Sequence, residues 1–202
     1  MKGAPASRKA RQSARTREAL VTQSLALVAE RGLSRTSIDH IAKAAGVTKG
    51  AMYWHFASKD DLFLAILDRI RDRWQHVVHA RVSARQTPTD RLSQLFESYG
   101  ELFRESPEIC LFLQQALLDQ HNRKHSAQVA RVFASTARFI ADIIDTGKTT
   151  GEIRPEVDPM TIAHMILGML AGASQQATIS RSQPLRKLLS AARAMTLAYV
   201  VR

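Results

Sequence analysis

The sequence predicts an all-α fold, and three observations carry that prediction. Apolar residues recur at spacings of three and four almost throughout the 202 residues. No segment alternates apolar and polar residues as a half-buried strand does. Glycine and proline fall where helix ends are wanted, dividing the chain into about nine helices, a small N-terminal set followed by a larger C-terminal one.

The first helix is read from Thr16 to Arg31, with Leu20, Val21, Ser24, Leu25 and Val28 on one face and Gly32 as its C-terminal cap, where a positive φ costs little. Residues 1–14 precede it as a basic, disordered arm. Thr36 is placed as the cap of the second helix, with Asp39 closing a capping box. Ile38, Ile41, Ala42 and Ala45 face inward and Gly46 makes the tight turn that ends it. Thr48 then caps a third helix, Lys49 to His55. Two short helices joined through a glycine-containing turn, after a longer supporting helix, form a tri-helical helix-turn-helix pattern over residues 15–60.

Ser58 and Asp61 supply another capping box, and Leu62, Phe63, Ile66, Leu67, Ile70, Trp74, Val77 and Val78 continue as one apolar stripe. This long helix, running to about residue 84, joins the first unit to a second helical domain over residues 61–202. Pro88, Pro107, the GlyLysThrThrGlyGluIleArgPro segment (147–155) and Pro184 divide the remainder into helices near 88–105, 108–119, 124–146, 159–180 and 184–200. Asp158 and Pro159 form a start signal, because Asp caps and Pro tolerates the first helical position.

Hydrophobic residues make up 45% of the chain and charged residues 23%, enough apolar material for a buried core. The net charge is +11, and residues 1–60 hold 11 Lys/Arg against 4 Asp/Glu, so +7 of it lies there. Lys2, Arg8, Lys9, Arg11, Arg15 and Arg17 all precede the first acidic residue, Glu18. Charge alone fits either an arm that tracks nucleic-acid phosphates or a solvated tail.

Cys110 is the single cysteine and sits in the apolar run IleCysLeuPheLeu, so it reads as a small buried hydrophobe in a reducing compartment. The greasiest segment, 160–173, is interrupted by Thr161, His164 and two glycines, which argues against a membrane span. No apolar h-region follows the basic N-terminus, so a cytoplasmic protein is expected. The chain has no phosphate-binding GlyXaaXaaXaaXaaGlyLys, no HisGluXaaXaaHis and no CysXaaXaaCys, and neither catalysis nor a cofactor is expected. His121 and His125 have the spacing of two metal ligands on a helix, with Asp119 as a third candidate. Their polar surroundings read instead as a solvated connection, and no metal is expected.

The third helix carries the function. Its start, ThrLysGlyAla at 48–51, combines a hydroxyl, an ammonium and small residues at the end where free N–H groups favour phosphate. Met52 and Phe56 point inward, leaving Tyr53, Trp54 and His55 to crowd the surface with large side chains whose tips form hydrogen bonds. Aromatic surface beside lysines implies a partner that covers it. The competing arrangement has Tyr53 and Trp54 packed against the first and the long helix.

The run from Gly32 to Phe63, which includes ThrSerIleAspHisIleAlaLysAlaAlaGlyValThrLysGlyAlaMetTyrTrpHisPhe at 36–56, resembles the signature of the TetR family, closest in texture to its multidrug-efflux repressors. The motif is specific and covers the N-terminal third; within it, Met52 stands where a branched aliphatic is commoner. The rest matches only in helix count and in the GlyGluIleArgPro-like break. The resemblance implies a ligand-responsive regulator, most often a repressor, that binds a palindromic double-stranded DNA operator and is released by a small-molecule inducer. It further implies that Thr36 and Thr48 touch phosphate at helix starts and that Tyr53, His55 and Lys59 grip the backbone beside the major groove. Lys49, Gly50 and Ala51 would approach base edges, with Lys49 offering donors to guanine, and Trp54 would wedge the helix in place. An activator of the same fold, or a helical interaction module that does not bind DNA specifically, remains an alternative.

One recognition helix covers too few base pairs to be selective against a genome, so a homodimer is expected. Leu185, Leu188, Leu189, Ala192, Met195 and Tyr199 form an apolar face on the last helix, and Gly168 and Gly172 on the preceding one permit close approach; an internal core pair is the alternative. The resemblance supports pairing through these two helices. It also implies a hydrophobic effector pocket in the C-terminal domain, for which Trp74, Phe96, Tyr99, Phe103, Phe112, Phe133, Phe139 and Met165 are the candidate lining.

Overall fold

A computed structural model describes residues 8–32, 35–118, 123–180 and 184–202. Its elements are α1 (Arg8–Arg31), α2 (Ile38–Ala44), α3 (Lys49–His55), α4 (Lys59–Trp74), a π-helical turn (Gln75–His79), α5 (Ala80–Ser83), α6 (Pro88–Glu105), α7 (Pro107–Leu118), α8 (Arg123–Thr150), α9 (Pro159–Ile179) and α10 (Leu185–Val200). The segments α4, the π turn and α5 form one continuous rod, so the described residues make nine helical rods, as expected. The interruption of that rod by a π turn had no visible signal in the sequence.

The predicted caps mostly hold. Thr48, Ser58 and Asp158 each accept a hydrogen bond from the backbone N–H three residues on, Thr87 adds an unforeseen cap of the same kind, and Pro88 and Pro159 occupy first-turn positions where no N–H is needed. Two expectations at the N-terminus require correction. Helix α1 begins at Arg8, so residues 8–14 of the expected arm are helical, and residues 1–7 lie outside the described residues. The stretch ArgLysAlaArgGlnSerAlaArg holds good helix formers and no Gly or Pro, so it can extend the helix without an apolar face of its own. The cap of α2 is Ser37, whose Oγ accepts from His40 N at 3.2 Å. Thr36 is only 1% exposed, because its hydroxyl turns back to donate to the Gly32 carbonyl at 2.8 Å.

A third correction concerns the break expected at residue 147. Helix α8 continues to Thr150 and turns at Gly151, where φ is +80°. Gly147 is helical, and its missing side chain serves packing: a Cβ there would lie 2.5 Å from Ile153 Cδ1. The chain after Gly151 is tied to the C-terminus, with Arg154 N donating to Val200 O at 2.9 Å and Arg202 N to Glu152 O at 3.1 Å.

His125 was expected in a solvated connection; it is instead buried near the start of α8. Asp119 and His121 lie outside the described residues. No helix among the described residues is long and apolar enough to cross a membrane, and no three metal-ligating side chains cluster among them.

The apolar core is continuous from end to end. Leu20, Leu25, Ile41, Met52 and Phe56 fill the N-terminal unit, and Phe63 and Ile66 on α4 carry the packing toward Phe112, Ile140 and Ile166. Helix α1 also packs on α7, where Gln115 Nε2 donates to the Ala29 carbonyl at 2.8 Å. The helix-turn-helix unit is thus held by α4 and α7 together.

Candidate nucleic-acid interface and internal cavity

The exposed site on α3 is built by burying its other side. Met52 and Phe56 are sealed in the core, so Tyr53 and Trp54, on the remaining face, are 49% and 69% exposed. The alternative in which these two rings pack against α1 and α4 does not hold. Trp54 makes an edge-to-face contact with His55, centroids 4.6 Å apart, and Arg17 on α1 lies 5.0 Å above the Phe56 ring. Burial, and then the Arg17 charge, lower the basicity of His55 below its ordinary value.

Thr48 Oγ1 accepts from Ala51 N at 3.1 Å, which closes the first turn and leaves Thr48, Lys49 and Gly50 exposed. Lys49 Nζ lies 2.9 and 3.0 Å from the two carboxylate oxygens of Asp39 in the first turn of α2, and this hydrogen bond raises the lysine pKa. The pairing fixes an ammonium at the mouth of the turn, and it must open if Lys49 is to meet a base. Sequence reasoning had used Asp39 only as a cap. Thr36 is buried away from the expected phosphate contact, and Ser37 is the exposed hydroxyl at that helix start.

A cavity of about 480 Å³ lies among α4, the π turn, α6, α7, α8 and α9. Of the candidate lining residues, Trp74, Tyr99, Phe133 and Phe139 border it. Four other expectations require correction. Phe112 is sealed in the core beside Phe63, with ring centroids 5.5 Å apart. Phe96 and Phe103 flank a separate groove between α6 and α10, and Met165 points outward with 59% exposure. The sequence offered only aromatic size as a signal, which does not say on which side of a helix the cavity lies. It missed Cys110, His79, Gln114 and Leu170, all of which face the cavity. Cys110 is buried as expected, and burial pushes its thiol pKa up; Tyr99 Oη lies 3.4 Å from its sulfur and 2.6 Å from Ser174 Oγ.

The last two helices divide into inner and outer faces. Leu189 and Ala192 are buried within the chain, Leu189 packing where Gly100 on α6 lacks a side chain, so these two are corrected to core positions. Leu185 and Leu188 are half-buried. Met195 and Tyr199 are 68% and 61% exposed, and Gly168 and Gly172 have open space where a Cβ would stand.

Two family models match the chain: "Bacterial regulatory proteins, tetR family" over residues 20–66 and "Tetracyclin repressor-like, C-terminal domain" over residues 88–195. The HTH-type transcriptional regulator AcrR of Shigella flexneri is 52% identical over 60 residues, 29% of this chain and 28% of that protein. The chain therefore matches little more than a quarter of that relative's length. The HTH-type transcriptional repressor BepR of Brucella suis biovar 1 is 27% identical over 171 residues, covering 80% of this chain and 79% of its own. A crystal structure of a TetR transcriptional regulator from Chloroflexus aurantiacus has a TM-score of 0.80 at 26% identity, covering 95% of this chain and 98% of the other.

Proposed function

The chain belongs to the TetR family of bacterial regulatory proteins, and from that premise we propose that it is a cytoplasmic transcriptional repressor, released from DNA by a small hydrophobic molecule. The observation that carries the reading is α3: two large aromatic side chains and an ordered lysine stand exposed on a helix whose other face is sealed. In this reading Lys49, Gly50 and Ala51 approach base edges in the major groove. Thr48, Tyr53, His55 and Lys59 hold phosphates on either side, and Trp54 fixes the angle of entry.

A second copy is required for selectivity, and the outward face formed by Gly168, Gly172, Met195 and Tyr199 is the surface offered for it. Apolar rings and methionines beside glycines allow two such faces to approach closely. The cavity is of a size suited to a drug-like molecule. Its walls come from both α4 and α8, so a ligand can bias the rod that begins at the DNA-binding unit. Repression is favoured because BepR, a relative matched over most of its length, is named a repressor. An efflux operon is the proposed target.

Footprinting on the DNA upstream of the chain's own gene, at two salt concentrations, tests the reading. A protected palindrome with half-sites about one helical turn, ~34 Å, or a multiple apart is expected. Uniform, salt-sensitive coating or no protection would overturn it, and reporter transcription that rises with the protein would replace repression by activation.

A further inference from the structure

The charge around the cavity narrows what can fill it. Among its described lining residues there is no carboxylate, whereas Arg71 and His79 both reach it. Arg71 and Ser135 also line an adjoining hollow of about 330 Å³, which opens beside Arg131 and Asp68. Leu167 and Leu170 are among the chamber's apolar walls, and the adjoining vestibule bears two guanidinium groups against one carboxylate. Asp68 Oδ1 lies 3.0 Å from Arg71, so that pair offsets itself and the vestibule keeps a net excess of one positive charge, which Arg71 and Arg131 share.

We propose that the effector is an anionic amphiphile, with its apolar body in the chamber and its carboxylate or similar head group at Arg71 and Arg131. The inference rests on the cavity being the effector site and names the chemical class of its ligand. A guanidinium meets a carboxylate with paired, charge-assisted hydrogen bonds. An ammonium entering the chamber loses its hydration and finds no anion to replace it. A neutral molecule of the same length gains only the apolar contribution.

The chain has two tryptophans, and one of them, Trp74, lines the chamber. In a full-length Trp54→Phe background it becomes the sole indole, so its fluorescence can report binding of decanoate, 1-decanol and decyltrimethylammonium, each below its aggregation concentration. Decanoate is expected to bind about tenfold more tightly than 1-decanol, the margin of one charge-assisted hydrogen bond. Arg71→Gln should remove that advantage while leaving 1-decanol binding within about twofold, and Arg71→Lys should restore part of it. Equal affinities for decanoate and 1-decanol would overturn the anionic assignment but leave the cavity as the site. Tighter binding of the cation would overturn it in favour of cation–π capture by Trp74 and Phe133. No response to any of the three would remove the cavity reading and this proposal with it.

Discussion

The ring of His125, near the start of α8, lies flat on Phe63 with centroids 3.9 Å apart, and its Nε2 is 2.9 Å from Oδ1 of Asp60. Both partners belong to the first turns of α4, beside Lys59. Lys124 adds a second contact to the same carboxylate at 2.9 Å. Helix α8 also contributes Val132, Phe133, Thr136 and Phe139 to the cavity wall, so the helix that walls the cavity is clamped to the start of the rod that follows the helix-turn-helix unit.

The clamp should be measurable as a pairwise energy. His125→Gln and Asp60→Asn, combined in a double-mutant cycle by urea unfolding, are expected to be non-additive by at least about 0.5 kcal/mol, as for residues that share one hydrogen bond. Strict additivity would mean that the contact contributes nothing beyond its parts. His125→Ala should cost more, about 2–4 kcal/mol, because it also leaves a ring-sized void against Phe63.

Stability should depend on Asp60 in acid. The hydrogen bond from Lys124, followed by that from His125, holds the Asp60 carboxyl below its ordinary value of 3.8. A depressed folded-state pKa stabilises the fold above the unfolded value and loses that contribution as pH falls through the folded one. The stability difference between the wild-type chain and Asp60→Asn should therefore be constant near neutrality and shrink below about pH 4, as followed by circular dichroism. A difference unchanged down to pH 2 would separate Asp60 from the acid response.

Two lysines should weaken DNA binding in different ways. Lys49→Ala is expected to reduce operator affinity about ten- to a hundredfold and to relax discrimination at one base pair, while coating of random DNA changes little. Lys59→Ala should weaken both targets alike and lower the slope of log K against log salt by about 1. Asp39→Ala, which releases the Lys49 ammonium, should not reduce affinity; fluorescence anisotropy titrations at several salt concentrations measure all three.

The outward face of α9 and α10 should govern assembly. Met195→Glu and Tyr199→Glu place carboxylates on an exposed apolar surface and are expected to shift sedimentation from dimer to monomer without loss of helicity. Operator affinity should fall in parallel, because each head would then bind alone. Dimers that persist in both variants would move the interface elsewhere.

Gly147→Ala should destabilise the C-terminal domain by about 1–3 kcal/mol, the usual cost of overpacking a core, because its Cβ would meet Ile153, which is fully buried. Operator affinity at temperatures well below unfolding should be unchanged. Thermal unfolding and anisotropy on the same sample separate the two effects.

Local chemistry made most of the architecture legible. Caps at Thr48, Ser58 and Asp158 act through bonds to residues three positions away, so sequence suffices to place them. The inward pair Met52 and Phe56 likewise implies the outward Tyr53 and Trp54 by helical periodicity alone. The same logic misassigned Thr36, whose hydroxyl has two competing partners; the return of the chain past Gly32, which decides between them, is not a local property.

By itself the sequence determined the helices, their order and the face of α3 left exposed, because each depends on neighbours within one or two turns. The tertiary structure alone decided which large residues surround the cavity and which fill the core, so that Phe133 lines one and Phe112 the other although both are apolar rings on cavity-lining helices. It also decided that Leu189 packs inward while Met195 faces out, and that His125 reaches Asp60 across 65 residues. These assignments depend on which helix lies opposite, and that is set by packing between segments far apart in the chain.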